Sequence, residues 1–394
     1  MSRRVKLSLR KYCPLVRIGG EAELVVEHDG EKPIKAYFVT HAPVRGFEKM
    51  LEGKNPLFVV EAAMRICGIC HAAHAIAACE AIEHAVGIMP PRDGLLLREA
   101  IGLVNRAQSH ILQEVMVLPD MLKKPVREKI YQKLVRLFND VCSLLLKIGG
   151  SSTHPSFLTI GGILKKPAEA SFNEARNLIK CIIKDYFEVK EILLDESNWT
   201  KLFTSLNEID VNVDKLASHF FYGDRYNIDV KGITTVRQAG SDVYRESTSN
   251  IAFYKGKVVE VGPRARLETY FLKKMKGLAG IQKARIIETD LVLKRVEEIL
   301  SEVDISAPLR ARELVFGKGL GIGVYEAPRG VLVHKVELNE EGRVRKYEIV
   351  TPTMFNIPVM EKAATLISLD AVEIIPRIFD PCIPCSTHLV KVRK

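Results

Sequence analysis

Two Cys-x-x-Cys pairs, one near each end of the 394-residue chain, are the residues best suited to chemistry. The first pair is Cys67 and Cys70, and the second is Cys382 and Cys385. Zinc, iron and nickel all accept thiolate ligands, so four cysteines brought together would form a metal site. Zinc ribbons and fingers separate their pairs by roughly 12–20 residues, whereas almost the whole chain separates these two. The spacing predicts a site that closes only when the fold is complete, and it leaves both structural zinc and a catalytic or electron-transfer metal open.

The residues around each pair support a metal site. If residues 67–74 enter a helix, both thiols and the two following histidines, His71 and His74, share one helix face. Before the second pair, Asp380 and Pro381 are expected to fix the backbone that enters it. A thioredoxin-like dithiol is disfavoured because the second pair lies close to the C-terminus, outside any βαβ pattern.

Hydrophobic periodicity predicts the elements that carry the two pairs towards each other. Residues 14–45 form a β-rich segment with a hairpin, residues 198–262 have a mixed pattern, and residues 320–350 are β-rich again. A final helix over residues 358–372 is expected to deliver the second pair. No internal repeat or low-complexity linker occurs, which predicts one α+β, mostly α-helical domain over residues 1–394. The other predicted helices cover residues 72–86, 94–118, 126–147, 168–197 and 264–303.

The composition is that of a globular protein, with 47% hydrophobic and 27% charged residues. No run of about 18 uncharged apolar residues occurs, so no membrane span is predicted. An apolar stretch is also missing after the Arg-Arg pair at residues 3–4, so no secretion signal is predicted and the cytoplasm is favoured. The net charge is +10, but the basic residues are scattered among acidic ones. This pattern indicates a solvated surface rather than a nucleic-acid interface.

Around the cysteines, the sequence resembles the large, catalytic subunits of nickel–iron hydrogenases. Their two signatures, Arg-x-Cys-Gly-x-Cys-x-x-x-His and Asp-Pro-Cys-x-x-Cys-x-x-His, are complete here at residues 65–74 and 380–388. The resemblance implies the hydrogenase large-subunit fold, a central bundle of long helices with small β-sheets at its periphery. Further segments that look like the family lie at residues 43–48, 149–162, 261–266, 326–330 and 351–356.

The resemblance implies a role for each cysteine. Nickel would take all four thiolates, with Cys67 and Cys382 as terminal ligands and Cys70 and Cys385 bridging to iron. The family's iron carries cyanide and carbon monoxide. Dihydrogen would be split heterolytically, with the metals as Lewis acids and a nearby base as proton acceptor. The terminal thiolate of Cys382 is the expected base, because the metal tunes its basicity.

Residues beyond the four thiolates also match the family. His74 would hydrogen-bond a bridging sulfur and orient it. Arg329 would present its guanidinium above the diatomic ligands of iron, and Asp120 would orient Arg329 through a charge-assisted hydrogen bond. A magnesium site is also implied, because oxygen ligands suit this hard cation. Its expected ligands are Glu48, the backbone carbonyl of Ile357, and His388.

Two departures from the family pattern affect the expected chemistry. Relatives usually have glutamate where Gly19 stands, and that carboxylate relays protons from the nickel thiolate. Glycine cannot act in this way. Glu21 lies two residues further on, on the same face if the segment is a strand, so Glu21 or an ordered water is expected to take over the relay. Relatives also often carry histidine at the position of Gln113.

The C-terminal tail and the remaining cysteines bear on processing and partners. The family's precursors are cut after the last histidine of the second signature, so a maturation protease would remove residues 389–394 here. The other cysteines are isolated and provide no iron–sulfur cluster pattern. An obligate hetero-oligomer with an iron–sulfur small subunit is therefore implied.

Among hydrogenases, the sequence looks closest to the cytoplasmic, deazaflavin-coenzyme-reducing type of archaea. That type implies reduction of coenzyme F-420 and a flavin-containing partner subunit. An NAD(P)-linked relative, or one that feeds a disulfide reductase, stays open. The rival interpretations from other classes are a non-catalytic, hydrogenase-like scaffold subunit and a structural zinc protein. Retention of all four cysteines argues against the scaffold.

Overall fold

The computed structural model describes residues 9–387, and the description below refers to these residues. Long helices form the centre and small sheets lie around them. The helices are α1 Phe47–Leu51, α2 Pro56–Met64, α3 His71–Val86, α4 Arg92–Met121, α5 Lys124–Gly149, α6 Glu169–Leu194, α7 Lys201–Ser205, α8 Pro263–Phe271, α9 Ala279–Glu302, α10 Pro352–Ala364, α11 Ile374–Phe379 and α12 Ile383–Ser386. The strands are β1 Leu9–Pro14, β2 Ala22–His28, β3 Pro33–Thr40, β4 Leu158–Thr159, β5 Gly162–Ile163, β6 Asp214–Lys215, β7 Ile233–Arg237, β8 Asn250–Tyr254, β9 Val259–Glu260, β10 Gly319–Ala327, β11 Gly330–Leu338 and β12 Val344–Val350.

The predicted N-terminal hairpin is present as β2 and β3, which pair antiparallel. Asp29 closes its turn, because its carboxylate accepts the backbone N–H of Glu31 and of Lys32. β1 adds a third antiparallel strand beside β2. Buried Leu24 and Phe38, paired across β2 and β3, turn one face of this sheet towards the core.

Four long helices, α4, α5, α6 and α9, form the central bundle. Their sequences repeat apolar residues at helical spacing, and those residues are buried where the helices pack. The helices predicted over residues 94–118, 126–147 and 168–197 are confirmed, with boundaries shifted by a few residues. The end predicted for the helix over residues 72–86 is also confirmed, since Gly87 caps α3 in the left-handed conformation at φ 71°.

α3 lies directly on the C-terminal sheet, which has the strand order β10-β11-β12. Three alternate glycines of β10 make this approach possible. A Cβ atom at Gly319, Gly321 or Gly323 would meet a backbone oxygen of α3 at 1.9, 1.8 or 2.0 Å. The helix that follows the first cysteine pair is therefore placed by backbone-to-backbone contact with a strand.

The last predicted helix, over residues 358–372, is wrong in its boundaries. α10 begins at Pro352, where proline is tolerated because the first turn has no internal N–H partner, and it continues through Pro358. A separate short helix, α11, then leads into the second cysteine pair. None of the described helices has the length and apolarity needed to cross a membrane.

Candidate metal centre

The four cysteines of the two pairs meet at one buried point. The Sγ atoms of Cys67 and Cys382 are 3.1 Å apart, and those of Cys70 and Cys385 are 3.2 Å apart. Within the second pair the two Sγ atoms are 2.9 Å apart, and all four lie within 4.8 Å of one another. None of the four residues is more than 3% exposed.

The first pair lies in a turn, so the condition that residues 67–74 enter a helix is met only from His71 onwards. α3 begins only at His71, and Cys70 is its N-cap residue with φ −105° and ψ 35°. The sulfur of Cys67 accepts the backbone N–H of Ile69 and that of Cys70, each at 3.2 Å. These two bonds fold the Cys-x-x-Cys segment so that both sulfurs face the same side.

The second pair is held by segments from distant parts of the chain. α11 ends at Asp380, which has the left-handed φ of 56°. The backbone N–H of Cys382 donates to Thr353 Oγ1 at 3.0 Å, and that of Ile383 donates to the carbonyl of Gly19 at 2.8 Å. The first residues of α10 and an N-terminal segment thus fix the backbone on both sides of Cys382.

Arg45 joins the two cysteine pairs, a role that sequence reasoning missed. Its Nη2 donates to the carbonyl of Ile66, which precedes the first pair, and to that of Pro384 at 2.6 Å within the second. Its own backbone N–H donates to the carbonyl of Thr387 at 3.1 Å. The resemblance at residues 43–48 was the available signal, but it did not indicate this contact.

His74 lies against a cysteine of the second pair, with Nε2 3.3 Å from the sulfur of Cys385. Its other ring nitrogen is 3.1 Å from Nε2 of His334, whose Nδ1 is 2.8 Å from the hydroxyl of Tyr347. All three side chains are buried. This chain fixes the orientation of the His74 ring. The strand pattern around His334 gave no signal of this contact.

The guanidinium of Arg329 is held at three points beside the cysteines. Nε donates to the carbonyl of Asp380 at 2.8 Å, and Nη1 donates to the hydroxyl of Ser109 at 2.9 Å. Nη2 is 2.8 Å from the Asp380 carboxylate, but the pair is not aligned as a hydrogen bond. Burial opposes the charge of Arg329, yet Asp380 and Cys382 raise its pKa above the ordinary value. The side chain is therefore a fixed cation.

The prediction that Asp120 orients Arg329 is wrong. Asp120 lies in the last turn of α4, about 16 Å further along the helix axis than Ser109, which does contact Arg329. The carboxylate of Asp120 instead pairs with Arg17 at 2.8 Å and with Arg377 at 3.2 Å. The acid beside Arg329 is Asp380, whose place at the start of the second signature was the missed signal.

The assumption that places Glu21 on the same face as Gly19 is also wrong. Gly20 has φ 118°, so the backbone does not alternate as a strand between these two positions, and β2 begins only at Ala22. Glu21 is exposed. Gly19 itself lies against the second pair, since a Cβ there would be 3.8 Å from the Cα of Cys382.

Two of the three expected magnesium ligands lie in the described part of the chain. One carboxylate oxygen of Glu48 accepts the backbone N–H of Ile349 at 2.5 Å. Ile357 is fully buried in α10. His388 lies outside the described residues, so the expected ligand set stays a prediction.

The donor set fits a thiolate-bound metal. Without a cation between them, the four sulfurs cannot all ionise. Hydrogen bonds from Cys382, Cys385 and Cys70 lower the pKa of Cys67, whereas burial and contact with the other thiols raise that of Cys385. A divalent cation at the centre would relieve this conflict.

Comparisons with known proteins agree with this centre. A sequence profile of nickel-dependent hydrogenases matches residues 45–114. The coenzyme F420 hydrogenase subunit alpha of Methanocaldococcus jannaschii is 36% identical, over 96% of this chain and 94% of that protein. Its counterpart in Methanothermobacter thermautotrophicus is 32% identical, over 100% and 96%. In fold, the Ni-Fe-Se hydrogenase of D. vulgaris Hildenborough matches with a TM-score of 0.83 at 21% identity, covering 97% of this chain and 99% of the other.

Proposed function

The chain belongs to the nickel-dependent hydrogenases and is related over its full length to coenzyme F420 hydrogenase alpha subunits, and from this we propose that it is the catalytic subunit of a coenzyme F420-reducing hydrogenase. The observation that carries the proposal is the buried cluster of four thiols between two hydrogenase signatures. Relatives that share more than 30% identity over nearly the whole chain support F420 as the acceptor.

In this proposal, electrons leave through an iron–sulfur small subunit. The alpha-subunit relatives support a partner subunit. A flavin-containing subunit is the further partner we propose. Iron–sulfur clusters pass single electrons, whereas a deazaflavin accepts a pair as hydride, and a flavin can convert one mode into the other. Because F420 is a soluble coenzyme, we place the complex in the cytoplasm.

In the proposed chemistry, the metals and the protein have different roles. When bound, nickel, and iron with cyanide and carbon monoxide ligands, supply the Lewis acidity that splits dihydrogen. The chain supplies the rest: Cys67, Cys70, Cys382 and Cys385 hold the metals, and Cys382 Sγ receives the proton. Arg329 provides fixed positive charge above the centre.

His74, by its contact with Cys385, orients a bridging sulfur in this proposal. We also retain a magnesium site formed by Glu48, the Ile357 carbonyl and His388, which would tie α10 to the C-terminal segment. A maturation protease that removes residues 389–394 completes the proposed assembly.

The test is reduction of F420 by hydrogen with the complex purified together with its native partners. We expect bleaching of the oxidised F420 absorbance that requires H2, and its loss in a Cys382→Ser variant. If the wild-type complex reduces a viologen dye with H2 but leaves F420 oxidised, the acceptor assignment is wrong while the hydrogenase assignment stands. Failure to reduce either acceptor, in a protein that contains both nickel and iron, would contradict the enzymatic role.

A further inference from the structure

Oxidation of dihydrogen releases two protons and two electrons, and the protons must leave a buried site. The cysteines are at most 3% exposed, and Gly19, which lies against Cys382, has no titratable group. A route for protons therefore needs other polar groups that connect the cysteines to water. This inference rests on the proposed hydrogenase function.

Glu114 is a fully buried acid with one carboxylate oxygen that has no hydrogen-bond partner in the described core. It lies in α4 and is 0% exposed. One carboxylate oxygen accepts the hydroxyl of Tyr186 at 2.7 Å, and the other, Oε2, has no hydrogen-bond partner among residues 9–387. Arg285 is the cation whose charge acts on Glu114, but the two side chains form no ion pair in the described part of the chain. A buried acid without an ion-pair partner is costly unless it is protonated or hydrated.

Three further buried polar atoms without a hydrogen-bond partner among the described residues belong to side chains of α4 and α9. They are Oε1 of Gln113 in α4, and Nε2 of Gln282 and Nε of Arg285 in α9. All three residues are at most 1% exposed. Buried polar groups are almost always hydrogen-bonded to protein or to ordered water. Together with Glu114 Oε2, these atoms provide the donors and acceptors that a short chain of internal water needs.

The polar region formed by Glu114, Gln113, Gln282 and Arg285 is connected to the metal centre through α11. Gln113 Nε2 donates to the carbonyl of Arg377 at 2.9 Å, and Arg285 Nη2 donates to that of Ile378 at 2.9 Å. α11 ends at Asp380, the partner of Arg329. Burial lowers the pKa of Arg285, and the carboxylates of Asp380 and Glu114 both oppose that shift. Arg285 therefore interacts electrostatically with both acids.

On the other side, the region approaches the surface through Tyr186. The Tyr186 hydroxyl also donates to the carbonyl of Ile286 at 3.2 Å, and Asp290 lies one turn further along α9. After burial and Glu114, the carboxylate of Asp290 is a further group that raises the pKa of the Tyr186 hydroxyl. Asp290 pairs with Lys190 at 3.2 Å and with Lys294 at 2.9 Å. The side chain of Lys294 is half exposed, so this end is in contact with bulk water.

We propose that Glu114 is a proton-relay residue, reached from Asp380 and Arg329 through internal water and connected to the surface by Tyr186 and Asp290. In each transfer the Glu114 carboxylate accepts one proton from the water on the metal side. When it passes this proton to the Tyr186 oxygen, the Tyr186 hydroxyl gives its own proton to water on the Asp290 side, so Tyr186 stays neutral. The charge of Glu114 is restored after each transfer. No electron and no further reactant is involved.

Burial raises the pKa of Glu114 to about 8, although the hydroxyl of Tyr186 and the charge of Arg285 partly oppose the shift. A relay group works best when its pKa lies near the working pH, since it must both accept and release the proton. The acid is thus suited to relay at neutral pH in a way that an exposed glutamate is not.

Glu361 offers a matched control. It is a half-buried acid, with a pKa raised to about 7 by burial. One of its oxygens accepts the backbone N–H of Phe38, the amide of Gln238 and the hydroxyl of Tyr244. None of these donors belongs to the polar region around Glu114. The same change of glutamate to glutamine can therefore be made on and off the proposed route.

The experiment compares the wild-type complex with Glu114→Gln, Tyr186→Phe and Glu361→Gln. Two rates are measured for each: conversion of parahydrogen, and formation of HD from H2 in D2O. The first requires only that dihydrogen be split and re-formed at the site, whereas the second requires site protons to exchange with water. We expect Glu114→Gln to keep its nickel and its parahydrogen conversion but to form HD at least about tenfold more slowly.

Tyr186→Phe should slow HD formation in the same direction, and Glu361→Gln should match the wild type. Equal HD formation in Glu114→Gln and the wild type would overturn the relay, as would an equal loss in Glu361→Gln. Failure of the underlying function is recognised separately, because the wild-type complex would then show neither rate. If Glu114→Gln loses its metal, Tyr186→Phe decides: unchanged HD formation in that variant overturns the proposal.

Discussion

Arg329 is fixed by contacts that only a guanidinium can make together. Its Nε, Nη1 and Nη2 reach the Asp380 carbonyl, the Ser109 hydroxyl and the Asp380 carboxylate. Lysine would keep the positive charge but not the planar set of donors. A lysine at position 329 therefore tests whether the positive charge alone is sufficient or whether the planar set of donors is also needed.

We expect Arg329→Lys to retain nickel and iron but to oxidise H2 about 100-fold more slowly, the usual cost of removing a fixed donor from a charged reaction centre. Asp120→Asn serves as its control, because Asp120 pairs with Arg17 and Arg377 and not with Arg329. Its activity should stay within about twofold of the wild type, since partly exposed ion pairs contribute little. A larger activity loss in Asp120→Asn than in Arg329→Lys would contradict this assignment.

We expect the protonation state of Glu114 to determine how the rate of proton exit depends on pH. The groups that face it are Tyr186 from α6 and Arg285 from α9, and both oppose the upward shift that burial imposes on its pKa. Well below pH 8 the carboxyl is mostly protonated and rarely free to accept a proton, whereas well above pH 8 the carboxylate has few protons to release. HD formation from H2 should therefore pass through a maximum near pH 8 in the wild type. In Glu114→Gln this maximum should vanish, and an unchanged pH profile would contradict the role.

These residue-scale contacts differ in how far the sequence could predict them. The two cysteine signatures contain their metal-binding residues within ten positions, so the four thiols were predictable. Asp120 was misassigned because a motif does not tell which turn of a long helix faces Arg329. Glu114 was not predicted at all, since a glutamate in a helix is ordinarily exposed and only tertiary packing reveals its burial.

At the scale of elements, the contact between α3 and β10 decides where the first cysteine pair lies. Gly319, Gly321 and Gly323 face Ala85, Ala81 and Ala77 of the helix in turn. Two residues of a strand and four of a helix both advance about 6 to 7 Å, so the two repeats stay in register. The sequence predicted both elements, but this pairing between them required the structure.

We expect Gly321→Ala to push α3 away from the sheet, because the new Cβ would lie 1.8 Å from the carbonyl oxygen of Ala81. The cost should be about 3 kcal/mol of unfolding free energy, with reduced nickel content because Cys70 and His74 move with the helix. Gly317→Ala is the matched control, as its Cβ would meet nothing within 4 Å. Thermal unfolding and nickel analysis of both variants provide the measurement. Equal stability of the two would show that the helix can shift freely.

At the scale of the whole molecule, the site forms only where both ends of the chain meet. Gly19, Arg45 and the turn before α3 contact the C-terminal pair from one side, and α10 contacts it from the other. The long separation of the cysteine pairs predicted such closure. It did not predict that one arginine, Arg45, would bridge both pairs through backbone carbonyls, because carbonyl acceptors leave no trace in a sequence pattern.

The central claim is a nickel–iron centre bound by Cys67, Cys70, Cys382 and Cys385, and the metal content of the purified complex tests it most directly. We expect about one nickel in this subunit, together with infrared bands of cyanide and carbon monoxide from its iron. Cys385→Ser should lose both the nickel and the bands. A complex that contains zinc in place of nickel and shows no such bands would contradict the account.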